Sequence, residues 1–283
     1  MKHLVTAAAL LLLPGLAAAQ ALPTPNAQDL SSTRALAMGD AFRAVASSNE
    51  AIYFNLAGMA QAPRYEFDLS YTFDDGNGLD VYNGSIVDAK STTFATGLAY
   101  TKIDADRLDG HIVHLGFGVP LGDRASFGFG LKYLNFDAPS PDETNAVTGD
   151  LGLLLRPHDL VAIGITTYNV IGVSSREAPR RAAAGVAVGT DTSFRLAGDV
   201  SFDFSADDTG ISYHTGAEYL LVGAFPLRAG FKHLDMADRQ DSYVSAGLGW
   251  MSAEAGIEAA YVQNLDGDRS EDRTFAFTFK LFL

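Results

Sequence analysis

The sequence predicts an all-β protein: a transmembrane, antiparallel β-barrel of about 14 strands, with an N-terminal, partly helical hatch in its lumen. Three observations lead to this prediction. The chain begins with the pattern of an export signal, continues through many segments in which apolar and polar residues alternate, and ends on such a segment without a polar tail. Alternation with a period of two is typical of strands that separate two environments.

The N-terminus has the pattern of a secretory signal peptide. Lys2 and His3 precede a short apolar run that ends in three alanines, Ala17 to Ala19. A charged start, an apolar centre and a small-residue cleavage site are typical of such peptides. We therefore assign residues 1–19 to a signal peptide that is cleaved before Gln20, and we expect an exported protein.

The composition argues against several kinds of site. The chain contains no Cys, so disulfides and thiolate metal sites are excluded. Its formal net charge is −14 at pH 7, and so acidic a protein is not expected to bind nucleic acid. His111 and His114 face opposite sides of one strand, so they cannot share a metal. Because no nucleophile or phosphate-binding motif is present, we predict no enzymatic activity, no cofactor and no metal.

The alternating segments are separated by two kinds of break that occur in strict alternation. Tight breaks such as 120–123 alternate with longer, acidic ones such as 264–271, as the periplasmic turns and extracellular loops of bacterial barrels do. Thirteen segments are evident, and residues 79–87 supply one more, because two periplasmic termini require an even number. The predicted strands of the barrel, 64–283, are 65–73, 79–87, 91–101, 110–119, 124–136, 146–156, 159–168, 180–189, 192–204, 211–222, 225–234, 242–251, 253–263 and 274–283.

Alternation also assigns each residue to a face of the barrel wall. Phe127, Phe129 and Leu131 fall on the face that is predicted to meet lipid. The luminal face carries ionisable residues on five of the last six strands, with acidic and basic strands interleaved: Arg195, Asp199, His214, Glu218, Arg228, Lys232, Glu254, Glu258 and Lys280. Unpaired charge is costly in a confined space, so we expect these side chains to pair across strands.

The final segment, Thr274 to Leu283, presents a continuous apolar face of Phe and Leu. A soluble protein would rarely leave such a strand at its terminus, whereas a closed barrel turns that face to lipid. The segment resembles the C-terminal signal by which the barrel-assembly machinery recognises its clients. We therefore expect the outer membrane of a Gram-negative bacterium, with its lipids and that machinery as partners. A soluble β-sandwich, the alternative, would need the opposite distribution of apolar faces.

Residues 20–63, between the signal peptide and the barrel, have a different character. The stretch Ser31 to Gln61 is rich in Ala, Leu and Met, and it does not alternate. A barrel of this size encloses more space than its own side chains fill. Because the stretch is too apolar for a solvated tail, we predict a hatch that folds into the lumen or its periplasmic mouth.

This segment resembles the N-terminal hatch of the FadL/TodX type of outer-membrane transporter, and of the related PorV type. The resemblance lies in Arg34 to Phe42, which read RALAMGDAF, and in Ala51 to Met59, which read AIYFNLAGM. Leu56 stands where the family usually has Pro. The resemblance implies a fourteen-stranded barrel that is plugged by the hatch. It also implies passive uptake of hydrophobic small molecules, notably long-chain fatty acids.

On this interpretation, four apolar residues of the hatch would contact the ligand: Met38, Phe42, Phe54 and Met59. Three further residues would hold the hatch turn: Gly39, Asn55 and Gly58. Two alternatives stay open. One is a PorV-type scaffold or shuttle for secreted proteins, and the other is a porin for polar solutes, which the charged lumen suggests.

Overall fold

The computed structural model describes residues 32–74, 76, 78–105, 108–137, 144–171, 178–204, 210–236, 239–266 and 272–283. In this part of the chain, fourteen antiparallel strands form one closed barrel, which confirms the predicted fold class and strand number. The predicted signal peptide lies outside the described residues. The strands are β1 (Tyr65–Asp74), β2 (Leu79–Asp88), β3 (Ala95–Ala105), β4 (Leu108–Pro120), β5 (Ala125–Asp137), β6 (Thr144–His158), β7 (Val161–Tyr168), β8 (Arg181–Gly189), β9 (Phe194–Asp203), β10 (Gly210–Leu221), β11 (Phe225–Met236), β12 (Arg239–Met251), β13 (Ala255–Asn264) and β14 (Arg273–Phe282).

The last strand closes the barrel against the first. Tyr65 and Leu283 exchange backbone hydrogen bonds of 3.1 and 2.9 Å. The ladder continues without a register shift to Asp74, which lies opposite Thr274. Closure leaves neither of these strands with an unpaired edge. We call the end of the barrel where Tyr65 and Leu283 meet the terminal end, and the opposite end the loop end.

The strands extend further toward the loop end than alternation predicts. The acidic segment 102–109 is predicted to be a loop, yet β3 continues to Ala105 and β4 begins at Leu108. The segment 235–241 is likewise mostly strand. The difference arises because ladder hydrogen bonds join backbone groups, so they persist into segments that carry charged side chains such as Lys102 and Asp104.

The outer wall is apolar around the barrel, as the alternation predicts. Leu69, Leu98, Leu131 and Leu248 are 49%, 50%, 52% and 61% exposed. Trp250 also faces outward, close to the terminal end. Such a surface is unfavourable in water and matches the lipid-facing band of a membrane barrel.

Residues 32–61, which we call the hatch, lie inside the barrel. They comprise α1 (Thr33–Ala37), a 3₁₀ helix (Ser48–Glu50), α2 (Ala51–Phe54) and a second 3₁₀ helix (Leu56–Gln61). Helix α1 packs mainly on β12 and β13, and the second 3₁₀ helix packs on β4 to β6. Among the described helices, none is long and apolar enough to cross a bilayer.

Candidate functional site

The hatch passes very close to other backbone at two of its glycines. Gly39 has a φ of +60°, and a Cβ atom on it would lie 2.6 Å from the backbone of Phe231. A Cβ atom on Gly58 would lie 2.0 Å from the carbonyl oxygen of Ala46. Only Gly fits both the left-handed conformation and such close approach. These two predicted turn residues therefore lie where the hatch chain meets the wall or crosses itself.

Asn55, the third predicted turn residue, connects two parts of the hatch to the wall. Its Nδ2 donates to the carbonyl oxygens of Arg43 at 2.8 Å and of Leu153 at 3.1 Å. Its Oδ1 accepts the N–H of Ala57 at 3.2 Å, at the start of the second 3₁₀ helix. Asn supplies both donors and an acceptor on one short side chain, so one residue satisfies three backbone groups.

The hatch packs against glycines of the barrel wall. A Cβ atom on Gly164 would lie 2.0 Å from the carbonyl oxygen of Arg43, and one on Gly230 would lie 2.1 Å from the backbone nitrogen of Gly39. At such positions the hatch backbone rests directly on the wall backbone, whereas Gly97, Gly116 and Gly247 make room for side chains of the hatch. We call this set the glycine seat: Gly97, Gly116, Gly118, Gly128, Gly152, Gly164, Gly216, Gly230 and Gly247.

The glycine seat was not predicted from the sequence. Its signal is visible as Gly at alternate positions, as in Gly116–Gly118 and Gly128–Gly130. Strand glycines also mark bulges and bends, so the pattern alone does not show that another segment lies against them.

Asp199 holds the middle of the hatch. Its Oδ2 accepts the backbone N–H groups of Phe42 at 2.7 Å and of Arg43 at 2.9 Å. The guanidinium of Arg43 lies 3.6 Å from the same oxygen, within cation–π range of the rings of Phe54 and Tyr168. Two backbone donors and a guanidinium together compensate the buried carboxylate.

A second contact fixes the turn at Gly39. His214 Nδ1 lies 3.0 Å from the Gly39 carbonyl oxygen, and Ser245 Oγ accepts the Gly39 N–H at 3.1 Å. Lys232 donates to the carboxylate of Asp40 at 2.6 Å. Three strands of the wall therefore bind two consecutive hatch residues.

Helix α1 is attached through Arg34. Its guanidinium donates to both carboxylate oxygens of Glu218, at 2.8 and 2.7 Å, which is the bidentate geometry that suits Arg. Burial lowers the pKa of Arg34, but the charge of Glu218 and its hydrogen bonds raise it more, so the pKa lies above its usual value. Arg34 therefore remains charged, and the pair is a permanent ion bridge between hatch and wall.

The ion bridge continues across the lumen. Arg228 lies 2.7 Å from both Glu218 and Glu258. Lys280 lies 3.6 Å from Glu258, 2.9 Å from Asp68 and 2.5 Å from Glu50 of the first 3₁₀ helix. Both ends of the network therefore reach the hatch, through Arg34 and Glu50.

The predicted luminal charges lie largely where alternation places them, but their partners differ from the expectation. Eight are buried in the lumen: Arg195, Asp199, His214, Glu218, Arg228, Lys232, Glu258 and Lys280. Some pair across strands, as Glu218 does with Arg228. Others pair with the hatch. The sequence offers no means to foresee this, since luminal position does not reveal what else enters the lumen.

The predicted luminal position of Glu254 is wrong. The residue lies exposed in the turn before β13, which begins only at Ala255. The prediction extended strand alternation two residues into a turn, where the period of two no longer holds.

The four predicted ligand contacts form the core of the hatch itself. Met38, Phe42, Phe54 and Met59 are at most 1% exposed and belong to one apolar cluster. The rings of Phe42 and Phe54 meet edge to face at 5.3 Å. They would contact a ligand only after the hatch has moved, and their role in binding remains a prediction.

The loop half of the lumen carries an apolar lining that the sequence analysis did not identify. Its residues point inward from β2 to β5: Leu79, Val81, Ile103, Ile112, Leu134 and Phe136. All are 1–5% exposed, and they share a cluster with Leu36 of α1. On these strands apolar residues occupy both faces, so alternation is weak there. The lining reaches from the loop end down to the hatch.

The outer wall has a concave apolar groove of about 910 Å³ across β1 to β3 and β11 to β14, lined by residues that include Leu69, Tyr82, Trp250, Ile257 and Phe279. A small polar cavity lies directly behind it in the lumen, next to Lys280, and shares four lining residues with the groove: Ser70, Asn83, Glu258 and Thr278. One layer of unbroken β1–β2 and β1–β14 ladder separates them. The wall is therefore closed between an apolar outer surface and a charged interior.

Comparisons with known proteins identify the fold. No family model and no curated protein matches the sequence. Among solved structures, the CymD monoaromatic hydrocarbon channel superimposes with a TM-score of 0.69 at 12% identity, over 90% of this chain and 97% of that chain. The Pseudomonas putida toluene transporter TodX gives 0.67 at 13% identity, over 88% and 95%. A Pseudomonas aeruginosa FadL homologue gives 0.62 at 12% identity, over 92% and 98%.

The resemblance of the hatch sequence and the superposition of most of the chain agree. Each match covers at least 88% of this chain, which includes far more than the two segments on which the sequence resemblance rested. At 12–13% identity the match is one of architecture. This chain therefore has the fold of the FadL/TodX type of hydrophobic-compound channel.

Proposed function

We propose that this chain is an outer-membrane channel for the passive uptake of hydrophobic small molecules, closed at rest by its hatch. The observation that carries the proposal is the apolar lining of the loop half of the lumen, which ends on the hatch. The lumen of a polar-solute pore is lined instead by hydrated polar groups. The solved structures that share the fold include a monoaromatic hydrocarbon channel and a toluene transporter, which supports the same class of substrate.

The proposed location in the outer membrane has independent support. The N-terminal pattern is that of an export signal, and the outer wall is apolar around the barrel. The closing strand β14 turns Phe277 and Phe279 outward, as a strand recognised by the barrel-assembly machinery would. Outer-membrane lipids would then cover the groove on the outer wall.

Uptake would proceed in two steps. An apolar molecule first leaves water and enters between the residues of the lining, which are only 1–5% exposed and must separate to admit it. Each Å² of apolar surface removed from water favours this step by roughly 25 cal/mol. The hatch must then shift, because its backbone fills the terminal half of the lumen. Its displacement would expose Met38, Phe42, Phe54 and Met59 as a continuation of the apolar path. Long-chain, fatty-acid-like molecules are the substrates that the hatch resemblance implies.

The polar-solute alternative is less well supported. The luminal charges that suggested a polar-solute pore interact with each other or with the hatch, as in the ion pairs of Glu218 with Arg34 and of Lys232 with Asp40. Charges engaged in this way do not line an open water path. A PorV-type scaffold remains compatible with the hatch resemblance, and uptake measurements distinguish it from a channel.

The test is uptake by intact cells that lack their own hydrophobic channels. Cells expressing the protein should take up radiolabelled toluene and a long-chain fatty acid faster than cells with an empty vector. Uptake of a small sugar should not change. Faster sugar uptake would favour the porin, and unchanged uptake of every compound, with the protein present in the outer membrane, would favour the scaffold.

A further inference from the structure

Within the part of the chain that the structure describes, His114 is buried without a hydrogen-bond partner. Its side chain on β4 points into the lumen and is 3% exposed. Neither Nδ1 nor Nε2 has a partner among the described residues. A buried imidazole without any partner is unfavourable, and nearly all buried polar groups are satisfied. The position therefore calls for a physical explanation.

His114 belongs to a row of three polar residues that we call the His114 row. His114, Lys132 and Thr148 lie directly opposite one another on β4, β5 and β6. Thr148 is fully buried, and its hydroxyl also lacks a partner within the described part of the chain. The Lys132 ammonium is 2.9 Å from Asp150 and is thereby neutralised. The row thus contains an imidazole and a hydroxyl that both lack hydrogen-bond partners among the described residues. It also contains a cation that is already paired.

The row lies at the junction of the two halves of the lumen. The next inward residues toward the loop end are Ile112 and Leu134, which belong to the apolar lining. The next inward residues toward the terminal end include Gly116 of the glycine seat. The His114 row is therefore the polar floor of the apolar lining.

Tyr53 of the hatch covers this floor. Its ring stands edge-on to the imidazole, with 5.4 Å between the ring centroids, and its hydroxyl donates to Asn83 at 2.8 Å. Burial raises the pKa of Tyr53 above its usual value, so the hydroxyl remains a donor. A molecule that reaches the imidazole must displace this ring, which belongs to α2.

We infer that the His114 row binds the hydroxyl group of a hydrophobic alcohol or phenol, whose apolar body lies against Ile112 and Leu134. This inference rests on the proposed function and specifies its substrate. A neutral imidazole has one donor and one acceptor, and so does a hydroxyl group, so each satisfies the other. Thr148 can complete the pair from β6, two strands away on the far side of Lys132.

The same geometry disfavours two related ligands. A carboxylate only accepts hydrogen bonds, and it would bring a negative charge to a lysine that Asp150 already neutralises. A hydrocarbon fits the lining but leaves the imidazole unsatisfied. The hydroxyl compound should therefore bind best among molecules of one size and shape.

The experiment compares three ligands that share a methylbenzene body: toluene, p-cresol and p-toluate. Equilibrium binding is measured to the full-length protein in nanodiscs, with empty nanodiscs of the same lipids as the reference. One or two added hydrogen bonds should make p-cresol bind about five- to tenfold more tightly than toluene. p-Toluate should bind more weakly than p-cresol.

Variants assign the preference to the row. His114→Leu should abolish the preference for p-cresol while toluene still binds, and Thr148→Val should reduce it. His111→Leu is the matched control, because His111 lies on the same strand and faces outward against Tyr100. Heat-modified mobility on gels verifies that each variant is folded.

Equal binding of toluene and p-cresol to the wild type would overturn the inference. So would tighter binding of p-toluate than of p-cresol, or a preference that survives both His114→Leu and Thr148→Val. In these cases binding of toluene would leave the proposed function intact. If none of the three ligands binds above the empty nanodiscs, the proposed function fails as well.

Discussion

The two halves of the lumen are built on opposite principles. In the terminal half the wall provides glycines and charges, and the hatch fills the space with its own backbone and apolar side chains. In the loop half the wall provides the apolar side chains, such as Ile112 and Phe136. The wall therefore has glycines where a segment of the chain must fit, and large apolar side chains where the proposed ligand would fit.

Removal of the hatch should have the largest effect. Deletion of residues 32–61 should raise single-channel conductance in planar bilayers sharply, because it opens the terminal half and lets water reach charges such as Arg228 and Lys280. Deletion of residues 267–271 is the control and should leave the conductance low, since such connections tolerate change. A wild-type conductance that is large, steady and unaffected by the hatch deletion would contradict the plugged lumen and favour the porin.

A single methyl group in the glycine seat should partly displace the hatch. Gly164→Ala places a Cβ atom 2.0 Å from the Arg43 carbonyl oxygen, and overpacking of this kind typically costs about 1–3 kcal/mol. The current should become unsteady and the temperature of heat modification should fall. Gly198→Ala is the matched control, because its Cβ atom would meet only the His214 carbonyl oxygen at 3.8 Å. Equal behaviour of the two variants would refute the seat.

Neutralising Asp199 should loosen the middle of the hatch. Asp199→Asn leaves Arg43 buried without its counter-charge, and breaking a buried pair costs about 3–5 kcal/mol. The backbone amides of Phe42 and Arg43 donate hydrogen bonds to Asp199, and their hydrogen exchange should accelerate in the variant. Asp191→Asn removes an exposed carboxylate 3.9 Å from Arg195 and should change exchange little, because surface pairs contribute about 0–1 kcal/mol. Unchanged protection in Asp199→Asn would show that other contacts hold this segment.

The smallest effect on conductance is expected in the loop half. Leu134→Asn introduces a polar group of similar size into the apolar lining and should slow toluene uptake severalfold, while the hatch and therefore the low conductance persist. Leu134→Met keeps the lining apolar and should retain uptake. Normal toluene uptake by Leu134→Asn would mean that the substrate does not pass this lining.

The strand count was predictable because alternation is a local property. Each strand imposes a period of two on its own residues. The strand β5 could therefore be predicted from Phe127, Phe129 and Leu131 without knowledge of the adjacent strands. The ends of strands were less predictable. Glu254 was assigned to the lumen because alternation continues by chance into a turn, and β3 extends past its predicted end at residue 101 to Ala105.

The candidate site was only half predictable. The hatch stood out because it is apolar and does not alternate, and its turn residues could be named from the family resemblance. The glycine seat and the His114 row could not be recognised, because the role of a luminal Gly or His cannot be inferred until the group that packs against it is known. Ion-pair partners were hidden for the same reason: Glu218 and Arg34 are 184 residues apart.

By itself the sequence determined the number of strands, the face to which most strand side chains belong and the presence of an apolar segment outside the barrel pattern. These follow from interactions between residues near one another in the chain and from the choice between lipid and lumen. The tertiary structure alone decided where the hatch rests, which charges bind it and which polar groups remain unsatisfied beneath the apolar lining. The physical reason is that closure of the barrel brings distant strands around one enclosed segment, and contacts across a lumen depend on register and volume rather than on local pattern.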